Sequence, residues 1–279
     1  MTDLISRTDG LSGAADEPLA RRSTVLHDLA TIARRACRSV FREPEFIIPA
    51  LIVPLFFFVV NIGALQDVAE QGAAAAGEDL DFKAFQLPVA IIFAVTGISR
   101  ASSLVLDIQG GYFDRLLLTP IRRPTLLLGL MAADLMAVLM LATPVTILGL
   151  ILGVSFETGV LGVVAFLVYG GLWGIAFAGF PYAIALKTGN PAAVNSSFVL
   201  FFPFAFLTTS FLPKEALTGW LSTIATYNPV TYVLEGLRSL IVDGWEWVTL
   251  AQGLGCIAIV AAVSFGLASL AMRGRITQN

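Results

Sequence analysis

Six apolar stretches, each close to the length of a bilayer-crossing helix, occupy most of this 279-residue chain. An α-helix needs about 20 apolar residues to span the hydrocarbon core of a membrane. Four of the six contain no charged residue, whereas a helix of a water-soluble protein needs only one apolar face. The sequence therefore predicts an all-α polytopic membrane protein with six transmembrane helices. The stretches are Phe46–Leu65, Leu87–Leu106, Thr125–Val154, Gly159–Leu186, Ala192–Leu212 and Val248–Met272.

The basic residues are divided unequally between the two sides of this predicted arrangement. An even number of spans places both termini on one side, and 13 of the 17 lysines and arginines fall there. Three fall on the other side, and Arg100 lies within the second stretch. Because basic residues are enriched in cytoplasmic segments, we expect a multi-pass protein of the cell membrane with both termini in the cytoplasm.

The segments outside the spans suggest four divisions of the chain. Residues 1–23 are polar and predict a disordered cytoplasmic tail, and residues 24–43 predict an amphipathic helix in the inner-leaflet interface. Residues 44–272 form the six-span domain, and residues 273–279 form a short cytoplasmic tail. The exterior segment 66–86 is acidic and rich in alanine and glycine, which predicts a flexible loop without a site.

The cytoplasmic connection between the second and third stretches carries more apolar surface than a solvated linker needs. Gly110 and Gly111 permit a bend, and Pro120 limits a helix at the far end, which leaves room for a short helix around Tyr112–Leu118. That helix would either pack beneath its own membrane domain or dock a cytoplasmic partner. Charge and apolar content favour neither interpretation over the other.

The exterior connection between the fifth and sixth stretches predicts a helical hairpin. Pro213 follows the fifth stretch, and Glu215–Thr226 and Val230–Val242 have amphipathic patterns separated by the turn residues Asn228 and Pro229. A hairpin this apolar is expected to re-enter the outer leaflet, its turn covered by surrounding protein.

These two connections carry a family resemblance. Asp107, Gly111, Asp114 and Arg115, followed by Pro120 and Arg123, resemble the cytoplasmic loop of type-two ABC exporter permeases, especially the daunorubicin-resistance branch, which has the form D-x-x-x-G-x-x-D-R and then P-x-x-R. The exterior connection is similar to the second signature of that family, of the form F-x-P, W-L, N-P-x-T and a final arginine. The matching residues are Phe211, Pro213, Trp220, Leu221, Asn228, Pro229, Thr231, Glu235 and Arg238.

The resemblance implies half of a bacterial transporter. In that family a permease homodimer, or a pair of close homologues, lies in membrane lipid above two copies of a separate ATP-binding-cassette ATPase. The ATPases move the permeases through short cytoplasmic coupling helices, which favours docking as the role of the predicted cytoplasmic helix. The coupling residues implied here are Gly111, Tyr112, Phe113, Asp114, Arg115, Leu116, Leu117 and Leu118.

The chain itself has no sequence motif for ATP hydrolysis. Its lysines are Lys83, Lys187 and Lys214, and none lies in a G-x-x-x-x-G-K-[ST] loop that would hold phosphates. Two cysteines and one histidine offer no metal-ligand spacing. We therefore expect a transport subunit and not an enzyme, with no catalytic residue, metal or cofactor of its own. ATP and Mg²⁺ would be bound by the partner ATPase, and no nucleic-acid partner is expected.

Two ionisable residues interrupt the predicted spans. Arg100 lies in the second stretch and Asp134 in the third, and a short connection lets these helices lie side by side. Isolated charges at such depth cost several kcal/mol, so they are normally paired, hydrated or functional. One interpretation is an Arg100–Asp134 ion pair near the substrate path. The other is an Arg100 side chain that reaches the interface and an Asp134 that meets water or backbone donors.

Phenylalanines are concentrated in the first and fifth stretches. Most such residues in membrane proteins pack or face lipid. The resemblance implies that the same stretches line the seam between two permeases, where a flat hydrophobic compound would meet the rings. The candidate path residues are Phe56, Phe57, Phe201, Phe202 and Phe204.

The function expected from these features is ATP-driven export of an amphipathic, drug-like or lipid-like compound. The alternative within the family is a polysaccharide or glycolipid exporter, since aromatic side chains suit both substrates. An ion-coupled carrier is a further alternative, but it would need several intramembrane acids, and Asp134 is the clear one.

Overall fold

The computed structural model describes residues 44–75, 77, 79–96, 99–111 and 123–276. Within these ranges the chain is helical and contains no strand, which confirms the all-α prediction for this part. The tail predicted at residues 1–23, the amphipathic helix predicted at 24–43 and the predicted helix Tyr112–Leu118 lie outside the described residues. Of the tail predicted at 273–279, residues 273–276 continue the last helix and 277–279 lie outside the described residues. The helices are α1 Pro44–Ala75, α2 Phe82–Thr96, α3 Ala101–Gln109, α4 Arg123–Ile151, α5 Gly159–Thr188, α6 Pro191–Ser196, α7 Phe201–Phe206, α8 Gly219–Tyr227, α9 Pro229–Ile241 and α10 Trp247–Ile276.

Five stretches of the described chain are long and apolar enough to cross a bilayer. They correspond to five of the six predicted spans. They are Ile47–Ala75, Phe82–Gln109, Asp134–Ile151, Gly159–Thr188 and Trp247–Gly274.

The remaining predicted span, Ala192–Leu212, is not confirmed as a membrane-crossing helix. Here α6, a 3₁₀ turn at Ser197–Leu200 and α7 follow one another over Pro191–Phe206, which we call the fifth segment. At 1.5 to 2.0 Å per residue this segment is about 25 Å long, shorter than a hydrocarbon core of about 30 Å. The helix stops at Phe206 although the apolar sequence continues to Leu212.

The first helix is longer than predicted. Its 32 residues make α1 about 48 Å long, well beyond the thickness of the hydrocarbon core. The prediction of a flexible loop at 66–86 is therefore wrong for residues 66–75 and 82–86, which belong to α1 and α2. Alanine, the strongest helix former, is abundant in this extension, and it outweighs the glycine content that suggested a loop.

The centre of the molecule is formed by α2 and α5. Almost every residue of α2 is buried, including Leu87, Ile91 and Val95, because α1, α4, α5 and α9 surround it. α10 lies along α5 at close range: a Cβ on Gly179 of α5 would collide with Ser264 of α10. Small residues allow such close approach between membrane helices.

The connection between the fifth and sixth predicted spans forms the two helices α8 and α9, close to the predicted ranges, and its predicted re-entry into the membrane is not confirmed. Asn228 ends α8 and caps α9, and Pro229 is the first residue of α9, a position that suits proline because its missing N–H is not needed there. Trp220, Tyr227 and Trp247 are 68%, 83% and 71% exposed at this end of the molecule. Exposed tryptophan and tyrosine are typical of the membrane–water interface.

Candidate functional site

A row of four phenylalanine rings runs along one face of the fifth segment and continues past its end. Phe198 contacts Phe202, Phe202 stacks on Phe206, and Phe206 contacts Phe211, with ring centroids 5.2, 5.7 and 5.6 Å apart. The first three are spaced four residues apart, so the helical repeat places them on the same face. Phe202 and Phe206 are 39% and 42% exposed. We call Phe198, Phe202, Phe206 and Phe211 the phenylalanine row.

A second layer of rings holds this row against the body of the protein. Phe93 of α2 lies 5.4 Å from Phe57 of α1, 5.4 Å from Phe201 and 6.0 Å from Phe206. Phe57 also lies 6.2 Å from Phe211. Edge-to-face and offset pairs at these distances are favourable, so the row has a fixed backing.

The five predicted path residues therefore have different positions. Phe202 is in the row, Phe57 touches its far end, and Phe201 is fully buried behind it. Phe56 and Phe204 are 67% and 46% exposed on the surface. Phe206, which belongs to the same aromatic stretch of the sequence, is in the row, whereas Phe93 and Phe198 were not predicted, although the four-residue spacing of Phe198, Phe202 and Phe206 is visible in the sequence.

A cavity of about 230 Å³ lies at the Phe198 end of the row. It combines rings with hydroxyl and amide groups: Phe177 and Phe198 line it together with Thr96, Ser99 and Asn195. We call it the helix-break cavity, because Ser99 lies where α2 has ended and α3 has not begun. Such a mixture can accommodate an apolar body with a polar substituent.

The interruption between α2 and α3 is stabilised by polar side chains from other helices. Asp134 of α4 is fully buried, and its Oδ1 accepts a hydrogen bond of 2.9 Å from the backbone N–H of Arg100, the N-cap of α3. At the end of α2, Trp173 Nε1 donates to Thr96 Oγ1 over 2.9 Å. A carboxylate beside a helix N-terminus is also favoured by the helix dipole. The two predicted intramembrane charges are thus brought together through the main chain of Arg100.

A second polar group lies beside Asp134. The Tyr182 hydroxyl is fully buried and close enough to interact electrostatically with the Asp134 carboxylate. Within the described residues, neither this hydroxyl nor Asp134 Oδ2 bonds to any third group, so the two are available to each other as donor and acceptor.

The α3 helix connects the predicted docking segment to the fifth segment. Gly111, at φ 68°, makes the turn after α3, where a glycine is favoured. Gln109 Nε2 donates to Gly189 O just before the fifth segment, and Ser102 Oγ donates to Asn195 Oδ1 within it. A displacement at Gly111 would reach the fifth segment through these contacts.

At the other end of the row, side chains of the α8–α9 hairpin bind the end of the fifth segment and the chain that follows Phe206. Asn228 Nδ2 donates to Phe204 O and Leu207 O, both over 2.7 Å, while its Oδ1 caps Val230 N. The Thr208 and Thr231 hydroxyls are 2.5 Å apart, within hydrogen-bonding distance. These bonds satisfy backbone carbonyls that would otherwise be left unpaired where the helix ends.

Arg238 completes this attachment. Its Nη1 and Nη2 donate to Thr209 Oγ1 and Thr209 O over 3.0 and 2.6 Å, and its Nε donates to Phe85 O over 3.3 Å. The guanidinium also lies 3.6 Å above the Phe85 ring centroid, a cation–π geometry. We call Asn228, Thr231 and Arg238 the hairpin clasp.

The other predicted hairpin residues are not part of the clasp. Pro213 precedes a 3₁₀ turn, Trp220 is exposed, and Glu235 is half-buried one turn before Arg238. Sequence analysis missed Thr208, Thr209 and Ser210, which are all buried. Three consecutive polar residues before the end of an apolar stretch were the available signal.

Comparison with known proteins identifies the family and several relatives. A family model described as ABC-2 type transporter matches residues 27–242. The daunorubicin resistance ABC transporter permease protein DrrB1 of Streptomyces coeruleorubidus is 25% identical over 252 residues, covering 89% of this chain and 84% of that protein. A "probable doxorubicin resistance ABC transporter permease protein", DrrC of Mycobacterium tuberculosis, is 25% identical over 206 residues, covering 73% and 72%. A transport permease named ycf38 in Cyanophora paradoxa is 25% identical over 220 residues, covering 77% and 74%.

Proposed function

We propose that this chain, which belongs to the ABC-2 type transporter family, is the permease subunit of an ATP-driven exporter of amphipathic, drug-like or lipid-like compounds. The observation that carries the proposal is the phenylalanine row, a continuous aromatic surface that starts at a polar cavity and ends at the exterior hairpin. An amphipathic compound can stack on successive rings without meeting a charged side chain. The drug-resistance permeases among the relatives support a compound of this kind.

The driving force would come from a separate ATP-binding-cassette ATPase, present in two copies, that binds ATP and Mg²⁺. Its docking site would be Gly111–Leu118, directly after α3. Ser99 and Arg100 lie between α2 and α3 and are not helical, so α3 is a separate short helix. It could therefore tilt without a matching movement of α2. Through Gln109 and Ser102 that tilt would move the start of the fifth segment and with it the phenylalanine row.

A second permease, identical or closely similar, would face the row across the membrane. Phe202, Phe206 and Phe56 are exposed on the same pair of elements, α1 and the fifth segment, and in a single copy they would meet lipid alone. The proposed location is a bacterial cell membrane, with both termini in the cytoplasm and the hairpin outside, as the basic residues predict.

The docking site is tested by replacing Phe113 and Leu117 with aspartate together. A charged surface cannot be buried against an ATPase without a large desolvation cost, so we expect co-purification of the ATPase that binds the unmodified chain to fall to background. ATP-dependent export should fall with it, while the amount of permease in the membrane stays unchanged. The matched control is Phe113→Leu with Leu117→Met, which keeps the apolar surface and should retain the ATPase. Full co-purification with the double aspartate variant would contradict this docking site.

A further inference from the structure

An apolar groove of about 650 Å³ lies beside the far end of the phenylalanine row. One wall is the extension of α1, with Val68 and Gly72, and the other is the segment from Phe211 to Ala216. Phe82, at the start of α2, closes the groove. Every described residue that lines it is apolar, and its volume is in the range of sites for drug-sized ligands.

The groove is continuous with the phenylalanine row. Phe211 lines the groove and also contacts Phe206 and Phe57, with centroids 5.6 and 6.2 Å away. The wall that contains Phe211 and Pro213 follows directly after Thr208, Thr209 and Ser210, which the hairpin and α2 bind. Hydrogen bonds therefore fix the position of this wall. The opposite wall, formed by α1, contributes only apolar residues to the groove.

Four acidic residues lie next to groove residues in the sequence. Asp67 and Glu70 are on the α1 extension beside Val68, and Glu70 Oε1 accepts a bond of 3.4 Å from the backbone N–H of the groove residue Phe82. Asp79 and Asp81 flank the groove residue Leu80. The cations on the same described segments are Lys83 and Lys214. The Lys83 ammonium donates to Leu152 O, at the end of α4.

We propose that this groove binds the exported compound at the outer end of the phenylalanine row, and that the compound is a hydrophobic cation. The apolar walls would hold its flat body, and the carboxylates of Asp67 and Glu70 would attract its charge. This inference rests on the proposed export function and adds the charge of the substrate and the place where it leaves the row. Opposite charge at the rim of an apolar site selects among compounds of similar hydrophobicity.

The groove is tested by filling it. Gly72 lines the groove, whereas Gly63 is on the same helix and does not line the groove. At both positions an added Cβ would have no described atom within 4 Å. We expect Gly72→Leu to weaken binding of ethidium, a planar aromatic cation, to the full-length chain in lipid nanodiscs by about tenfold or more. Gly63→Leu, the matched control, should bind ethidium as the unmodified chain does. Ethidium fluorescence anisotropy measures the affinity.

The charge of the ligand is tested by Asp67→Asn combined with Glu70→Gln. Glutamine at position 70 keeps an oxygen that can accept the Phe82 N–H, so the change removes negative charge while the hydrogen bond can still form. We expect ethidium binding to weaken by about threefold to tenfold, an effect that salt reduces, because these carboxylates are partly exposed. Binding of the uncharged dye Nile red should be unchanged. Asp243→Asn with Glu246→Gln, two exposed acids outside the groove, is the control and should alter neither.

The outcomes of these experiments distinguish failure of the groove proposal from failure of the proposed export function. Unchanged ethidium binding in Gly72→Leu would show that the groove is not the site. Loss of self-association in that variant with ethidium binding intact would assign the groove to a second copy of the chain. If the charge variant weakened ethidium binding and Nile red binding equally, the proposal that the ligand is a cation would be wrong. ATP-dependent export by the unmodified chain, measured separately, bears on the proposed function alone.

Discussion

Replacing Asp134 with alanine is expected to remove most of the folded protein from the membrane. Asp134 is fully buried, and its Oδ1 is the acceptor for the Arg100 N–H at the interruption between α2 and α3. Alanine would leave that donor unsatisfied and remove a negative charge close to Arg100. Loss of one member of a buried charged group typically costs about 3–5 kcal/mol, a large share of the stability of a domain.

Size-exclusion chromatography of fluorescently tagged variants, with thermal unfolding of whatever remains, measures this effect. Asp134→Asn keeps an oxygen acceptor and should retain more folded protein than alanine. Thr146→Val on the same helix is the matched control: its buried hydroxyl bonds only within α4, to Ala142 O, so we expect a loss below about 1 kcal/mol. Wild-type stability of Asp134→Ala would contradict the assigned role.

The same residues test the predicted ion pair. If the Arg100 side chain is coupled to Asp134, the double alanine variant should be milder than the sum of the two single losses, because removing both leaves no orphaned charge. Arg100→Ala keeps the backbone donor and should cost less than Asp134→Ala. Losses that simply add would mean that only the main-chain bond joins these residues.

Replacing Arg238 with alanine is expected to produce the second large effect. The side chain supplies three hydrogen bonds to Phe85 O, Thr209 Oγ1 and Thr209 O, and a cation–π contact to Phe85. Hydrogen bonds to a charged donor contribute about 1.5–3 kcal/mol each and do not add fully, so we expect a loss of about 3 kcal/mol and little export. Thermal unfolding and export assays in the same membranes measure both.

Arg238→Lys separates charge from geometry. Lysine keeps the positive charge but cannot form the planar fork that reaches two atoms of Thr209. We therefore expect lysine to be intermediate in stability. Lys214→Ala, which removes a half-buried cation on the same side, is the control and should be nearly neutral. Equal behaviour of Arg238→Ala and the unmodified protein would remove Arg238 from the hairpin clasp.

Features set by local sequence were predictable, and features set by distant partners were not. Apolar length located five membrane-crossing stretches, and the Asn228-Pro229 pair located the junction of α8 and α9. The interruption at Ser99 and Arg100 could not be read from the apolar run Leu87–Leu106. Its stabilising groups, Asp134 and Trp173, lie 34 and 77 residues away from their partners in the sequence.

The end of the fifth segment is also determined by residues that are distant in the sequence. The sequence from Ala192 to Leu212 is apolar enough to suggest one long helix. Asn228 donates to Phe204 O and Leu207 O, and Arg238 donates to Thr209 O. Because these side chains bind the carbonyl groups, the helix ends at Phe206 and the chain continues as a non-helical segment. A lone sequence reveals which residues are apolar, but not which distant donors will terminate the helix.

For the candidate site, composition identified the phenylalanines and not their arrangement. Phe201 and Phe202 are neighbours in sequence, yet one is buried behind the row and the other is part of it. That division depends on which face of the fifth segment packs against Phe93. Phe211 joins the row only because the helix has already ended, which the sequence does not indicate.

ATP-driven movement of a hydrophobic cation by this chain, together with an ATPase, is the result that tests the proposed function most directly. Inside-out membrane vesicles containing both subunits should take up ethidium when ATP and Mg²⁺ are added. Uptake should be absent without the permease, and absent when the phosphate-binding lysine of the ATPase is replaced. Permease-dependent uptake that continues without ATP would contradict ATP-driven export. Uptake that requires a proton gradient instead would identify the chain as an ion-coupled carrier.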